Sequence, residues 1–388
     1  MTATIDTDIV ARARGLAPLI ESEADAAEDA TTTTAPVVEA LKDAGLFWIQ
    51  VPRELGGSEV DVATALAVFE ALAHADGSTG WSAMANITSS CFAAIYTGAD
   101  AASAMFGDGA RGIHAGMLGP VGTARRVEGG YRVSGRYQFG SGCAHASYIG
   151  AGTIEVDDAG NQLTTDSGLP AMRVVLVPRD EIDFRGNWDV LGLTATGSYD
   201  YMVDDVFVPE AFTYPLLENV QQRGGAGFRV GLFSITACGH AGFALGVGRR
   251  ALDEITALAS TRVRMAGFTT IGTEQLFQYE LAQHDCAMRA ARAFVYEAVA
   301  EADAEARAQD VPGPILQPRV RAAATYATRV ATDAARFAYH WAGSAGLRPG
   351  IVQRCLRDLL AGSQHIYVDN NTLTGYAAAL VTGAASAT

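Results

Sequence analysis

Two stretches of this chain concentrate side chains that can hold a proton against a bound ligand. In GYRVSGRYQFGSG, Ser141 stands between Gly140 and Gly142. A hydroxyl both donates and accepts hydrogen bonds, although a serine flanked by glycines reads equally as a turn residue. Downstream, GLTATGS sets Thr194, Thr196 and Ser198 among two glycines, either a cluster of donors that a ligand can approach closely or an ordinary polar turn. A third element is His365, spaced with Arg354 and Asp358 as i, i+4 and i+11. That spacing predicts one helical stripe. An imidazole there can hold or deprotonate an acidic hydroxyl, or it is a satisfied core histidine. Arg354 and Asp358 read as a structural ion pair. Trp81, in DGSTGWSAMANITSS, is large enough to wall a pocket or to fill a core.

Other chemistries are poorly represented. The seven histidines form no HxxxH or His/Cys cluster, so no metal site is expected. Cys91, Cys143, Cys238, Cys286 and Cys355 form no CxxC pair, which reads as reduced thiols in a cytoplasmic protein. A formal net charge of −15 argues against nucleic acid and anionic membrane surfaces as partners. No uninterrupted run of roughly 18 apolar residues predicts a membrane span, and the N-terminus lacks the order of a secretion signal. With no GxGxxG after a strand and no P-loop, there is no sign that the chain binds NADH itself. Lys42 is the only lysine, so an anion must be gripped by arginine or backbone amides.

The elements that position these residues follow from periodicity. With 388 residues, 49% hydrophobic and 18% charged, the chain can bury a sizeable core. Residues 1–115 show helical spacing in APVVEALKDAGL and DVATALAVFEALAHA, separated by an extended crossing, GLFWIQVPRELGG. Residues 116–220 carry strand signals in GYRVSGRYQF, ASYIGAGTIEV, MRVVLVPRD and YDYMVDDVFVPE, predicting a β-sandwich or small barrel. Residues 221–388 return to long amphipathic tracts with short breaks, predicting an antiparallel helical bundle. The fold class is α+β, mostly α.

That order, together with four strings, resembles the acyl-CoA dehydrogenase superfamily over nearly the whole chain. ALKDAGLFWIQVPRELGG resembles its helix-to-crossing segment. GYRVSGRYQFGSG and GLTATGSYDYMVDDVFVPE resemble its flavin-side segments. WAGSAGLRPGIVQRCLRDLLAGSQH resembles the C-terminal segment that reaches the flavin. The resemblance implies an N-terminal helical domain, a middle β-domain and a C-terminal four-helix bundle. Within the superfamily, the dehydrogenases carry a carboxylate base after an Ile-Tyr pair, where this chain has Val368 after Ile366-Tyr367. Asp369, one residue on, would point elsewhere. Arg357-Asp358 followed by His365 is instead similar to the two-component, group D flavin hydroxylases.

This resemblance implies a flavin-dependent monooxygenase, the oxygenase component of a pair. It would use reduced FMN (FAD is possible) supplied by a separate flavin reductase. With O2 it would hydroxylate an electron-rich, aromatic, possibly polyketide-type substrate through a C4a-hydroperoxide. Ser141 would contact flavin N5, Phe139 would pack by the ring edge, and Thr194, Thr196 and Ser198 would line the flavin. Arg264, with Arg262 as its competitor, would grip the phosphate. Gly343 and Ser344 would reach the flavin of a neighbouring subunit in a homotetramer. Trp81 and His365 would face the substrate. One departure is that related phenol hydroxylases often carry a second histidine two turns after the tryptophan. Residues 82–90 contain none, and Ser89 or Ser90 stands there. The competing readings are an FAD-dependent acyl-CoA dehydrogenase, an amine N-oxygenase of the same fold, and a non-catalytic helical scaffold.

Overall fold

A computed structural model of the chain describes residues 5–107, 109–217, 220–263, 268–309 and 313–386. Arg264, the expected phosphate ligand, lies outside the described residues. The first third forms six helices: α1 (Thr7–Gly15), α2 (Ala17–Ala30), α3 (Ala35–Asp43), α4 (Val62–Ala75), α5 (Gly77–Tyr96) and α6 (Ala99–Phe106). Their starts are written locally. Asp61 and Asp76 cap α4 and α5, accepting from Thr64 N and Thr79 N at 2.7 and 2.8 Å. Pro18 and Pro36 sit in the first turns of α2 and α3. The crossing between α3 and α4 is not extended as its Pro and Gly punctuation predicts. Leu46–Trp48 and Arg53–Leu55 each close a 3-10 turn, because Leu46, Phe47 and Trp48 gain burial only if the chain curls inward.

Seven strands follow: β1 (His114–Val127), β2 (Gly130–Gly140), β3 (Tyr148–Val156), β4 (Met172–Pro178), β5 (Asp183–Gly186), β6 (Tyr199–Pro209) and β7 (Thr213–Pro215). They form one sheet in the order β5-β6-β2-β1-β3-β4-β7, antiparallel except for the β1–β3 pair. The strands span residues 114–215, against the 116–220 block expected. The sheet curls round its own apolar cluster, which includes Tyr131, Tyr137, Ile149, Val175 and Tyr201. Tyr137 and Tyr201 stack within it, ring centroids 4.9 Å apart.

The Tyr201 hydroxyl accepts from Met117 N at 2.8 Å and donates to Gly150 O at 2.6 Å. It thereby ties the parallel pair together where the β1–β3 register shifts after Met117. Tyr201→Phe leaves a buried N–H and C=O without that partner, and should lower stability by about 2–3 kcal/mol. Urea unfolding checks this: a midpoint shift with unchanged slope is expected.

The last third holds α7 (Gly231–Thr261), α8 (Gln275–Ala308), α9 (Leu316–Ala342), α10 (Ile351–Gly362) and α11 (Asn370–Ser386). Helix α7 is the central member, packed on α9 and α4. It is long and apolar enough by composition to cross a membrane, yet 83% of its most apolar window is buried within the protein. It therefore reads as the core helix of the bundle. Its packing on α4 and α5 joins the first and last thirds into one apolar core. The β-domain docks against one side of that core, and the candidate site lies at this junction.

Candidate active site

The junction is built from four pieces: the start of α5, the turn after β2, the loop before β6, and the chain leaving α10. Each brings a polar group predicted from sequence. At the β2 end, Phe139 takes φ +64° and Gly142 φ +71°. A Cβ on Gly142 would lie 2.4 Å from Asn86 Oδ1, so glycine is required by both backbone and space. Asn86 braces this turn from α5, its Nδ2 donating to His114 O at 2.8 Å and Gly142 O at 3.3 Å. Its Oδ1 then accepts from His145 Nε2 at 2.8 Å. Phe139 is 55% exposed in a backbone region that aromatic residues rarely adopt. Its neighbour is the Trp188 ring, edge-on at 6.2 Å.

The hydroxyls assemble into a directed chain. Trp81 Nε1 donates to Ser141 Oγ at 3.1 Å; Ser141 and Ser198 hydroxyls lie 2.7 Å apart, and Ser198 and Thr196 2.6 Å apart. Thr196 donates its only proton to Leu193 O at 2.8 Å. Ser198 must therefore donate to Thr196, and Ser141 to Ser198. Every proton in the chain points from Trp81 towards Leu193. Ser141 Oγ is left with an accepting lone pair and no proton to offer. That suits a ligand N–H, such as the one at N5 of a reduced flavin, and an exposed aromatic ring at Phe139 suits the edge of a flat heterocycle. The donor set fits a flavin. Thr194, beside this chain, is only partly buried.

The loop carrying Thr196 and Ser198 is fastened to α10. Asp358 accepts from Leu193 N at 2.6 Å, and a Cβ on Gly192 would lie 2.1 Å from Arg357 O. Asp358 is fully buried, with Oδ2 unpartnered. Burial, then the charge of nearby Asp76, push its carboxyl up to about 7. Burial likewise raises Asp76. The expected Arg354–Asp358 ion pair does not form. Arg354 bonds Asp25 and, at 3.2 Å, Glu28 on α2, which also receives Arg357 at 2.8 Å. Arg357 bridges the two neighbours, donating to Leu191 O at 3.2 Å and to Glu28 at 2.8 Å, while Asp358 bonds the loop and Arg354 bonds α2.

His365 does not share a helical stripe with Arg354 and Asp358 either. Helix α10 ends at Gly362 and His365 is extended, opening a single 3-10 turn over Ile366–Val368. Its Nδ1 accepts from Tyr367 N at 3.3 Å, so the neutral ring carries its proton on Nε2. Burial lowers its pKa to about 4. At neutral pH it is thus an uncharged donor rather than a base. Its ring lies 5.7 Å from Trp81 and 5.5 Å from Tyr367. Phe243 packs edge-on against Trp81 at 5.0 Å.

The ring nearest His365 is one the sequence does not single out: His240 of α7, 4.2 Å away. The available signal was one imidazole in an otherwise apolar stretch, ITACGHAGFALG, which periodicity alone assigns to core. His114 is buried and His145 half-buried, both structural residues, lowered by burial to about 3 and about 4. Val368 is buried. Asp369 caps α11, accepting from Asn371 N at 2.8 Å, so neither supplies a carboxylate base to the cluster.

Gly343 and Ser344 lie apart from this cluster, exposed after α9. Gly343 takes φ +55°, and Ser344 Oγ accepts from Arg262 at 2.9 Å. A cavity of about 280 Å³ lined by Gln50, Arg53, Glu59 and Arg307 is also separate. Among the described residues no His/Cys/Asp/Glu group can hold a metal.

Comparison with known proteins shows the family. Residues 12–104 match the acyl-CoA dehydrogenase N-terminal domain and residues 238–370 the acyl-CoA dehydrogenase C-terminal domain. The chain is 31% identical over 344 residues to indole-3-acetate monooxygenase of Pseudomonas putida, covering 87% of this chain and 84% of that protein. Over 230 residues it is 30% identical to the oxygenase component of an FADH2-dependent resorcinol hydroxylase from Rhizobium sp., covering 58% of this chain and 54% of that one. The structure of XiaF from Streptomyces sp., in complex with FADH2 and glycerol, superposes with a TM-score of 0.87 at 24% identity. That match covers 97% of this chain and 95% of the other. The chain belongs to the acyl-CoA dehydrogenase family. Within it, the chain is a flavin-dependent monooxygenase, the oxygenase component of a two-component system.

Proposed function

We propose that this chain binds reduced FMN, or FAD in its place, delivered by a separate flavin reductase, and with O2 hydroxylates a planar, electron-rich aromatic molecule. The observation that carries the reading is the directed hydroxyl chain from Trp81 to Leu193, which leaves Ser141 as an acceptor near uncharged imidazoles. The curated relatives act, by name, on indole-3-acetate and resorcinol, both aromatic.

Reduced flavin, when bound, supplies the electrons that activate O2. Ser141 would accept from its N5–H, with Ser198 and Thr196 fixing the serine rotamer, and Phe139 would lie by the ring edge. His365 donates from Nε2 to substrate or oxygen. Trp81, Phe243 and Tyr367 exclude water, which otherwise diverts oxygen into hydrogen peroxide. Arg264, with Arg262 as its competitor, is the phosphate ligand we assign. The exposed Gly343–Ser344 segment then serves a neighbouring subunit's site in a homotetramer. Five cysteines without a disulfide fit a reducing, cytoplasmic setting.

The dehydrogenase reading lacks its base. Val368 stands at that position and Asp369 is spent on a helix cap.

Ser141→Ala tests the assignment. Anaerobic titration should show reduced flavin bound about tenfold more weakly, since a buried hydrogen bond is lost. In air, product per flavin should fall as hydrogen peroxide rises. Unchanged product yield per flavin would remove Ser141 from the N5 contact. If the wild type neither retains reduced flavin nor forms product with any aromatic probe, the oxygenase reading fails.

A further inference from the structure

One imidazole of the aromatic cluster has a buried nitrogen without a partner. His240, midway along α7, is 3% exposed, and its Nδ1 is buried without a hydrogen bond. Its ring lies 4.2 Å from His365, 4.9 Å edge-on from Trp81 and 5.8 Å, stacked, from Tyr367. It therefore sits among the same side chains that wall the proposed substrate site. Burial and the neighbouring His365 lower its pKa well below the ordinary value, so the ring is neutral and one nitrogen is a bare acceptor. A buried N–H without an acceptor is rarer than a buried acceptor without a donor. Nδ1 is the more deeply buried of the two ring nitrogens, so the proton resides on Nε2 and Nδ1 offers its lone pair.

The two imidazoles are thus opposite in kind. His365 spends its Nδ1 on Tyr367 N and offers an N–H, whereas His240 offers an acceptor. We propose that His240 is a specificity-determining residue: its Nδ1 accepts a hydrogen bond from a ring N–H or ring-borne O–H of the aromatic substrate. The proposal rests on the oxygenase reading only for placing substrate beside Trp81 and His365. An aromatic whose donor is methylated leaves Nδ1 unpaired and is rejected, as sites built around a buried hydrogen bond reject analogues that lack it. Histidine reaches this position from α7, which explains how the site keeps a second imidazole although residues 82–90 have none.

The test is anaerobic equilibrium dialysis of the full chain against matched pairs, indole with 1-methylindole and resorcinol with its dimethyl ether. Each is measured with and without excess reduced FMN. Wild type should bind the donor-bearing member of at least one pair about tenfold or more tightly, and the pair concerned identifies N–H or O–H recognition. His240→Phe keeps the ring but removes the acceptor and should erase the preference. His240→Asn, whose Oδ1 falls where Nδ1 stood, should keep most of it. His240→Gln, which places its oxygen near Nε2, should lose it, so the test survives if the phenylalanine variant does not fold. Equal binding of both members by wild type, binding of neither pair, or a preference kept in the Gln and Phe variants overturns the proposal. Failure of the oxygenase reading shows separately, as reduced FMN that the protein does not retain.

Discussion

His365→Ala should lower product formation by about 100-fold at saturating substrate, the scale of losing one positioned proton donor or transition-state hydrogen bond. Flavin oxidation should continue, with its electrons recovered as hydrogen peroxide. The argument rests on the tautomer. Because Nδ1 is held by Tyr367 N, the ring presents Nε2–H, and burial keeps it uncharged down to about pH 4. An ordinary catalytic histidine would give the rate an inflection near pH 6.5. Here the rate should show none from His365 between pH 5.5 and 8. His365→Gln retains an N–H near the Nε2 position and should recover part of the coupling. Simultaneous assay of product and peroxide decides the matter: an alanine variant that stays coupled removes His365 from the chemistry.

The second large effect is acid lability. Burial lowers four imidazoles in the fold: His114 to about 3, His145 and His365 to about 4, and His240 well below its ordinary value. A group whose folded pKa lies below its unfolded one binds more protons when unfolded. Its contribution is therefore complete above about pH 6.5 and is lost as pH falls. At pH 5 His114, His145 and His365 each cost about 2 kcal/mol, roughly 6 kcal/mol together, and His240 acts in the same direction.

Asp358 and Asp76 act in the opposite sense. Their raised pKa values favour the folded state as pH falls, for Asp358 from about 7 towards 4. Two carboxyls do not offset four imidazoles. Unfolding near pH 5 should take up protons on balance, and a few kcal/mol of a typical stability of about 5–15 kcal/mol should be lost between pH 7 and 5. Denaturant midpoints measured from pH 8 to 4.5 give the slope directly. Asp358→Asn removes one compensating group, so this variant should be more stable than wild type at pH 8 and show a steeper acid decline. A flat profile between pH 7 and 5 would mean that the imidazoles are hydrated in solution.

Periodicity and local punctuation carried most of the architecture. The strand runs GYRVSGRYQF and MRVVLVPRD became β2 and β4, and the long tracts after residue 221 became α7, α8 and α9. Such patterns are legible because each element must bury one face whatever it packs against. Ser141, Thr196 and Ser198 were also legible, as hydroxyls among glycines. The direction of their proton chain was not, since it depends on Thr196 donating to Leu193 O and on Trp81 arriving from α5.

Tertiary contact decided the rest. Helical spacing pairs Asp358 with Arg354, but the three-dimensional packing gives it Leu193 N instead. His365 left its helix because α10 ends at Gly362. His240, more than a hundred residues from His365 in sequence, became its nearest ring. Spacing along the chain reports which residues share a face of one element. Which faces of different elements meet, and so which buried polar group lacks or finds a partner, is settled only when the whole core packs.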